Sequence, residues 1–482
     1  MNDLWSRRRV LTGSAAVAAS SVFPRSLRAF TRENTFDPSK GRPAQRNFTS
    51  KGVEQEIARV APLIADPLVA KMFEQCFPNT LDTTVFTGDY EGKPDSYVIT
   101  GDIDALWLRD SSAQVWPYLP FAKDDAELQR MLHGLIRRHA RMVLLDPYAN
   151  SFMRDTDAKP LSWAVHDHTD MKPGVGERKW EIDSLCYVLR LSHGYWKATG
   201  DTAPFDDTWR ASARTIVKTF REQQRKNSRG PYHFQRSSPN PSDTVPLSGY
   251  GNPAKPNGLI YSMFRPSDDS CIYPLFIPAN MFAVVQLRNL AEMAREVLHD
   301  NELAADATSL ANEVDAAIKT HAVVHDPHFG AVYAYEIDGF GNTLLMDDAN
   351  VPSLLALPYL GYCKPTDPIY RNTRRMVLSA SNPYFFQGKA AEGIGGPHIG
   401  LDFIWPMSLL IRGLTSTDEN EVRYCLKTLR DTTANTGFMH EAFHKDDPKN
   451  FTRPWFGWAN TLFGEFVIHI QKTYPKVLTV TL

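Results

Sequence analysis

Apolar residues recur at three- and four-residue spacing along most of this chain, and each stretch that does so predicts an amphipathic helix. The clearest is 124–145, where Leu128, Met131, Leu132, Leu135, Ile136 and Met142 share one face. Its opposite face carries Arg130, Arg137, Arg138 and Arg141 and is expected to meet solvent. The same reading predicts helices at 53–65, 67–77, 185–199, 205–225, 271–298, 302–323, 353–360, 367–378, 404–414, 419–432 and 455–473. Thr100-Gly101-Asp102 reads as a turn feeding a further helix that ends near Pro117. Residues 86–99 read as a hairpin or long loop, and 329–340 as a short hairpin about an Asp338-Gly339 turn.

One arrangement repeats. A loop ends in acidic and Trp-rich residues, an apolar helix follows, and a more amphipathic helix returns. The loop ends fall near 104–110, 181–183, 268–269, 347–348, 402–405 and 455–460. Six such occurrences at irregular gaps suit stacked helical hairpins rather than a strict repeat. Six hairpins can close into a toroid, with the apolar helices inside and their N-termini gathered at one end. The expected fold class is therefore all-α with a polar rim and minor β-hairpins in the loops. No shift in composition marks a second domain, so 48–482 is read as one.

Composition narrows the class. An apolar share of 43% supports a large core, and a formal net charge of −2 provides no field that would favour nucleic acid. Cys76, Cys186, Cys271, Cys363 and Cys425 are odd in number and lack metal spacing, so neither a disulfide framework nor a zinc site is indicated. Ser6-Arg7-Arg8-Arg9-Val10-Leu11, followed by a short Ala/Ser-rich apolar run, matches a twin-arginine export signal, taken as 1–29. The run is too short for a membrane span, so the expected location is periplasmic or secreted, without a membrane anchor in the mature form. Residues 30–47 are polar and Pro/Arg-containing and read as a flexible lead-in.

The densest chemistry lies between Gly101 and Tyr118. Arg109 and Asp110 stand side by side with Trp107 and Trp116 nearby, a combination suited to a sugar: charged groups for hydroxyls, an indole face for C–H surface. A buried structural ion pair at a helix start is the competing reading. His166-Asp167-His168-Thr169-Asp170 offers metal-ligand residue types, but alternating side chains on an extended segment point opposite ways, which favours polar residues at the surface or substrate rim. The glycine-rich run Gly393-Ile394-Gly395-Gly396 has no following Lys and no strand–helix context, so it is not a phosphate loop.

Gly101-Asp102-Ile103 with Trp107-Leu108-Arg109-Asp110-Ser111 resembles the signature of glycoside hydrolase family 125, the exo-α-1,6-mannosidases. Further strings in the expected order are Phe264-Arg265-Pro266-Ser267-Asp268-Asp269, Gly393-Ile394-Gly395-Gly396-Pro397-His398, Met439-His440-Glu441-Ala442-Phe443-His444 and Phe451-Thr452-Arg453-Pro454-Trp455-Phe456-Gly457-Trp458. The likeness runs from about Phe48 to the C-terminus. It implies an (α/α)6 barrel and an inverting hydrolysis of terminal α-1,6-linked mannose in N-glycans or mannan. It implies no metal and no organic cofactor. The partner it implies is a mannose-containing oligosaccharide, acted on by a chain for which a monomer is favoured.

Glycoside hydrolysis needs one carboxyl group held protonated and one ionised. The resemblance places the general acid in the Asp268-Asp269 pair and the water-activating base at Glu441. Motif spacing leans towards Asp268, and both aspartates stay candidates; a helix N-cap is the alternative role for a Ser-Asp-Asp-Ser run. His440, His444 and Lys445 are expected to keep Glu441 ionised. Glu465, inside the last predicted helix, is the rival base. Sugar contacts are expected from Arg109, Asp110, Asp183, Asp348, Asn350, His398, Trp455 and Trp458. Other readings of the same architecture are an α-glucosidase, a polysaccharide lyase or a glycan-binding protein without turnover.

Overall fold

The helix predicted at 124–145 forms over Ala126–Leu145, started by the Asp125 carboxylate accepting from the backbone N–H of Leu128. Asp206, Asp300, Asp367 and Asp418 likewise cap helices Asp207–Gln223, Asn301–His321, Pro368–Val377 and Glu419–Asp431. These belong to a computed structural model that describes residues 36–482; the expected export signal lies outside the described residues.

A second set of helices is built differently. Leu108–Val115 is buried at every residue, and Ile182–Thr199, Ile277–Glu296, Pro406–Leu414 and Gly457–Thr473 are buried over most of their length. Trp107, Glu181, Phe276, Trp405 and Phe456 occupy their N-cap positions, and none makes a side-chain capping hydrogen bond. Helix Gly457–Thr473 packs on Leu108–Val115 and on Pro406–Leu414; Leu108–Val115 packs on Ile182–Thr199, which packs on Ile277–Glu296. The amphipathic helices lie against this layer, Asn301–His321 on Ile277–Glu296 and Glu419–Asp431 on Pro406–Leu414 among them. The fold is thus helix-on-helix, with uncapped N-termini on the buried set and aspartate-capped N-termini on the covering set.

Short sheets hold the loops that lead into the buried helices. Two-residue strands Leu106–Trp107, Leu275–Phe276 and Phe403–Ile404 stand immediately ahead of them or nearly so, and each pairs into a three-stranded sheet. The backbone is therefore pinned on both sides of Arg109, of the 265–273 loop and of Trp405.

Several expectations need correction. Helix 271–298 begins only at Ile277, because Leu275 and Phe276 pair with Ile337 and Glu336. The helix expected at 353–360 does not form; turns replace it, and the Asp347 carboxylate accepts from the backbone N–H groups of Leu354 and Leu355 at 2.9 Å each. The single hairpin expected at 329–340 is two: Val323–Asp326 with Gly330–Tyr333, and Glu336–Ile337 with Thr343–Leu344. Residues 86–99 form an antiparallel hairpin, Val85–Tyr90 with Lys93–Val98. The basic face of Ala126–Leu145 is not simply solvated. Arg138 and Arg141 both pair with the buried Asp95 of that hairpin, and Arg137 with Asp206.

The described part of the expected lead-in also has a fixed place. Phe36 packs edge-on against Trp455 at 5.0 Å, and Arg42 binds the buried Asp82 at 2.8 Å as well as Glu54. Cys186 and Cys271 are buried free thiols, as read from their apolar surroundings. No helix among the described residues is long and apolar enough to cross a membrane.

Candidate active site

Arg109 stands in the first turn of Leu108–Val115, where the chain has just left its sheet. Its guanidinium meets four carboxyl groups: Glu181 at 2.6 Å, Asp268 at 3.2 Å, Asp110 at 3.4 Å and Asp183 at 3.5 Å. Glu181 and Asp183 are fully buried, whereas the Asp268 side chain remains 24% exposed. One cation among four buried or half-buried carboxyls leaves excess negative charge, which burial makes costly. The carboxyls respond differently. Burial pushes Glu181 well above the usual carboxylate range, against the pull of Arg109, and raises Asp183 to about 6. Asp268 goes the other way. Burial works to raise it, but Arg109, a hydrogen bond from Glu181, Lys179 and His398 together hold it below the usual range.

Asp268 and Asp269 cap no helix. They close a tight turn in which Asp268 N donates to Arg265 O at 2.9 Å and Arg265 N to Asp269 O at 2.8 Å. Asp268 takes a left-handed φ of 67°, a region in which a non-glycine residue has to be held by its surroundings. The holding groups are identifiable. Arg265 Nε donates to Glu336 at 2.6 Å, and the other Glu336 oxygen accepts from the N–H groups of Ile272 and Tyr273 at 2.9 Å each. Lys179 Nζ donates to the Asp268 carbonyl at 2.8 Å, and Asn150 Nδ2 to its carboxylate at 3.2 Å. Asp269 points into this support: it accepts from Ser242 at 2.7 Å and Ser267 at 2.9 Å and lies 3.5 Å from His398 Nδ1.

His398 links the aspartates to the other carboxyl. Burial opposes its charge, but Asp269, Glu441 and Asp268 raise it to about 9. Glu441 precedes strand Ala442–His444, which pairs with Phe403–Ile404. The cation beside it is neither His440, His444 nor Lys445. His440 contacts the carbonyls of Thr433 and Arg453 and stacks on Phe451; His444 packs on Phe403; Lys445 pairs with Asp402 at 3.0 Å. Arg453 fills that role, with Nη1 at 3.4 Å from Glu441 and Nη2 donating to Asp102 at 2.5 Å and to Thr100 O at 2.8 Å. Gly101 is required there: a Cβ on its φ 72° backbone would meet Arg453 Nη2 at 3.0 Å.

The remaining expected contacts divide. Asp348 joins the site, its Oδ2 buried without a partner; Gly396 lets it in, since a Cβ there would stand 2.7 Å from that oxygen. Asn350 serves Asp348, donating to it from both backbone and side chain at 2.9 and 3.0 Å. Trp455 packs on Phe36 and against Gly101. Trp458 lies deeper, edge-on to Tyr187 at 6.0 Å, lining a cavity of about 10 Å³ with Trp116, Arg190 and Tyr359, room for one water. Glu465 belongs to that interior, where Tyr359 donates to it at 2.9 Å, and is not brought to Asp268. Asp167 is committed to Arg236 at 2.6 Å, and among the described residues no group of three or more His, Cys, Asp or Glu side chains could hold a metal ion.

A family model described as metal-independent α-mannosidase matches residues 66–468 of this chain. The chain belongs to glycoside hydrolase family 125. Its similarity to the meiotically up-regulated gene 157 protein of Schizosaccharomyces pombe is 43% identity over 456 residues, 91% of this chain and 89% of that protein. It is 42% identical to a Streptococcus pneumoniae metal-independent α-mannosidase solved in a non-productive complex with α-1,6-mannobiose. That likeness has a TM-score of 0.84 and covers 89% of this chain and all of that one. A bacterial glucoamylase bound to acarbose shares the fold alone, at 13% identity and TM-score 0.51 over 89% of this chain and 58% of that chain.

Within this family 125 chain, sequence reasoning named Arg109, Asp110, Asp183, Asp268, Asp269, His398 and Glu441, and the fold brings them into one electrostatic cluster. It assigned no role to Glu181, Asn150, Lys179 or Arg453. Glu181 and Arg453 stood inside the stretches already singled out. Asn150 carried no signal, being one polar residue in a long loop.

Proposed function

We propose that this chain is an exo-acting, inverting glycoside hydrolase that releases terminal α-1,6-linked mannose from N-glycans or mannan, on an (α/α)6 toroid. The observation that carries the reading is that a partly exposed carboxyl, Asp268, and a second carboxyl, Glu441, both lie within electrostatic range of one imidazole, His398. Asp268 is the proton donor and Asp269 its support, since Asp269 is only 3% exposed and has its oxygens committed to Ser242, Ser267 and His398. Glu441 takes a proton from water as the water oxygen bonds to C1. Asp268 gives a proton to the glycosidic oxygen as the C1–O bond breaks. A single displacement of this kind needs roughly 6.5–9.5 Å between the two carboxyls to admit the water.

A hydroxyl-rich ligand also suits the polar atoms that the protein leaves unpaired. Trp107 Nε1, Asp183 Oδ1, Arg265 Nη2 and Trp405 Nε1, at or ahead of the starts of buried helices, and Asp348 Oδ2, ahead of the turns at 353–360, are buried without a hydrogen-bond partner. The exported location proposed for the chain rests on its N-terminal arginine motif.

The test is product analysis on a panel of linkage-defined mannobioses, with the anomer of the first mannose released read by proton NMR. The expected outcome is cleavage of the α-1,6 isomer to β-mannose, abolished in Glu441→Gln. Cleavage of another linkage with the α-1,6 isomer intact overturns the specificity; α-mannose as first product overturns the mechanism.

A further inference from the structure

The buried carboxyl nearest Arg109 is one the proposed reaction does not use. Glu181 Oε2 accepts from Arg109 Nη1 at 2.6 Å and from Ser184 Oγ at 2.9 Å. Its other oxygen, Oε1, has no conventional donor, and its side chain has no solvent exposure. Asp268 binds the other terminal nitrogen of the same guanidinium. Glu181 and Asp268 thus flank one guanidinium, with the buried, unpartnered Oε1 left to face another group, and a carboxyl–carboxyl hydrogen bond between them would exist only while one of them carries a proton.

We infer that Glu181 is a positioning residue for the proton donor: Glu181 and Asp268, clamped in the two arms of Arg109, hold a single proton between them, and Glu181 stores it until Asp268 passes it on. This rests on the reading of Asp268 as general acid.

The inference resolves a tension in the site. Asp268 alone sits among cations that favour its ionised form, which cannot protonate a leaving group. With Glu181 attached, removing the last proton would leave two adjacent anions in a buried place, so the pair keeps it to higher pH than an isolated Asp beside Arg109 would. The groups facing the pair are Arg109 and Asp110 from helix Leu108–Val115, Asp183 from helix Ile182–Thr199, Lys179 ahead of it, and Asp269 and His398 from the loops. Asn150 bridges Asp268 to Glu177, and the Tyr232 phenol lies within range of Glu181. Glu177, Asp183 and Asp110 add negative charge around the two partners, reinforcing retention of the proton.

The step balances. The Glu181 proton crosses the shared hydrogen bond to Asp268, and Asp268 gives a proton to the departing oxygen while Glu441 takes one from the attacking water. Glu181 and Asp268 are left with no proton between them and Glu441 with one. Glu441 then loses its proton to solvent, and the pair regains one from solvent.

The experiment measures the pH dependence of kcat/KM on α-1,6-mannobiose for the wild-type chain and Glu181→Gln. A glutamine amide can donate to ionised Asp268 but cannot hand over a proton. The basic limb of the profile is expected to move down by at least one pH unit, a tenfold or greater loss at neutral pH on the falling limb. On 2,4-dinitrophenyl α-mannoside, whose leaving group needs no proton, the loss should shrink to within about threefold. Ser184→Ala, which removes a donor favouring ionised Glu181, should move the same limb upward, and it keeps the test open if Glu181→Gln does not fold. An unchanged basic limb with a uniform loss of rate, or an equal loss on the dinitrophenyl substrate, overturns the proposal and leaves Glu181 a structural residue. Infrared difference spectra of the same proteins at neutral pH give a reading independent of turnover. Wild type should show one protonated-carboxyl band that Glu181→Gln lacks. Absence of that band overturns proton sharing even if no mannoside is cleaved, whereas wild-type inactivity on every mannoside with the band present overturns the functional reading alone.

Discussion

Arg453 reaches Glu441 with Nη1 at 3.4 Å, and the same guanidinium ties back to the turn at Thr100 and Asp102. The residue is held at a left-handed φ of 45°, is half-buried, and sets its guanidinium over the Phe456 ring at 4.8 Å. Its position is therefore fixed from three sides before it touches Glu441. Glu441 is thus oriented by Arg453, twelve residues on, whose own place is set by a distant element, the turn that opens the Arg109 helix.

Arg453→Gln should accordingly act on rate more than on binding. Loss of the fork releases Glu441 from its direction, and a displacement of about 1 Å in a catalytic group costs on the order of 10²-fold in rate. The expected result is a kcat lowered roughly 10²-fold on α-1,6-mannobiose with KM changed only a few-fold. A KM effect equal to the kcat effect would make Arg453 a substrate ligand and not an orienting group.

The two aspartates of the tight turn should separate on mutation. Asp268 is the more open of the pair and meets Arg109 and Asn150, whereas Asp269 is committed to two serines and His398. Asp268→Asn should cut kcat/KM by about 10²–10⁴-fold, the usual worth of a general acid. Asp269→Asn should cost about tenfold and lower the thermal midpoint, because it removes the His398 counter-charge. Equal, complete loss in both with intact fold would reverse the assignment of donor and support.

How much of this was readable beforehand depends on which interactions are local. Helix Ala126–Leu145 was legible to within two residues because Leu128, Met131, Leu132 and Leu135 repeat on one face and Asp125 caps it, all information within one stretch. Residues 353–360 misled because the same apolar spacing is overridden by Asp347, whose buried carboxyl captures two N–H groups of that segment. The start of Ile277–Glu296 was placed six residues early because Glu336, distant in sequence, takes the N–H groups of Ile272 and Tyr273. In the site, Asp268 and Glu441 were found through motif strings. Glu181, Asn150 and Lys179 were given no role, because four carboxyls around one arginine is a property of the packed molecule: Arg109, Glu181 and Asp268 come from three separate segments. Arg453 was likewise hidden by the nearer charges of His440, His444 and Lys445, which turn to other partners.

A stability prediction tests the packing of the last helix apart from chemistry. Gly464 in Gly457–Thr473 faces Phe77, and a Cβ there would lie 2.2 Å from the ring and 2.6 Å from Phe77 Cβ. The second contact is close to the backbone, so a rotamer change cannot relieve it. Gly464→Ala should destabilise the fold by about 1–3 kcal/mol, the range for overpacking a core, despite a helix-propensity gain of about 0.5–1 kcal/mol. Chemical denaturation measures it. A neutral or stabilising outcome would mean that the two helices are farther apart than described.

The His398–Asp269 pair predicts the direction of the pH response. His398 is raised from 6.5 to about 9, the charges of Asp269, Glu441 and Asp268 outweighing its burial. A group whose folded value is raised contributes its stability fully below its unfolded value and loses it as pH climbs through the folded one. The contribution of His398 is therefore complete below about 6.5 and fades between 6.5 and about 9. Asp347, pushed up to about 8 by burial, also titrates in that window, but it does so in any His398 variant as well and drops out of a difference. The thermal midpoint of the wild-type chain should thus fall more steeply across that interval than that of His398→Gln, with the two curves converging at the alkaline end. Parallel curves would mean that His398 is neutral in the fold, and the charged bridge between Asp269 and Glu441 would then be lost from the account of the site.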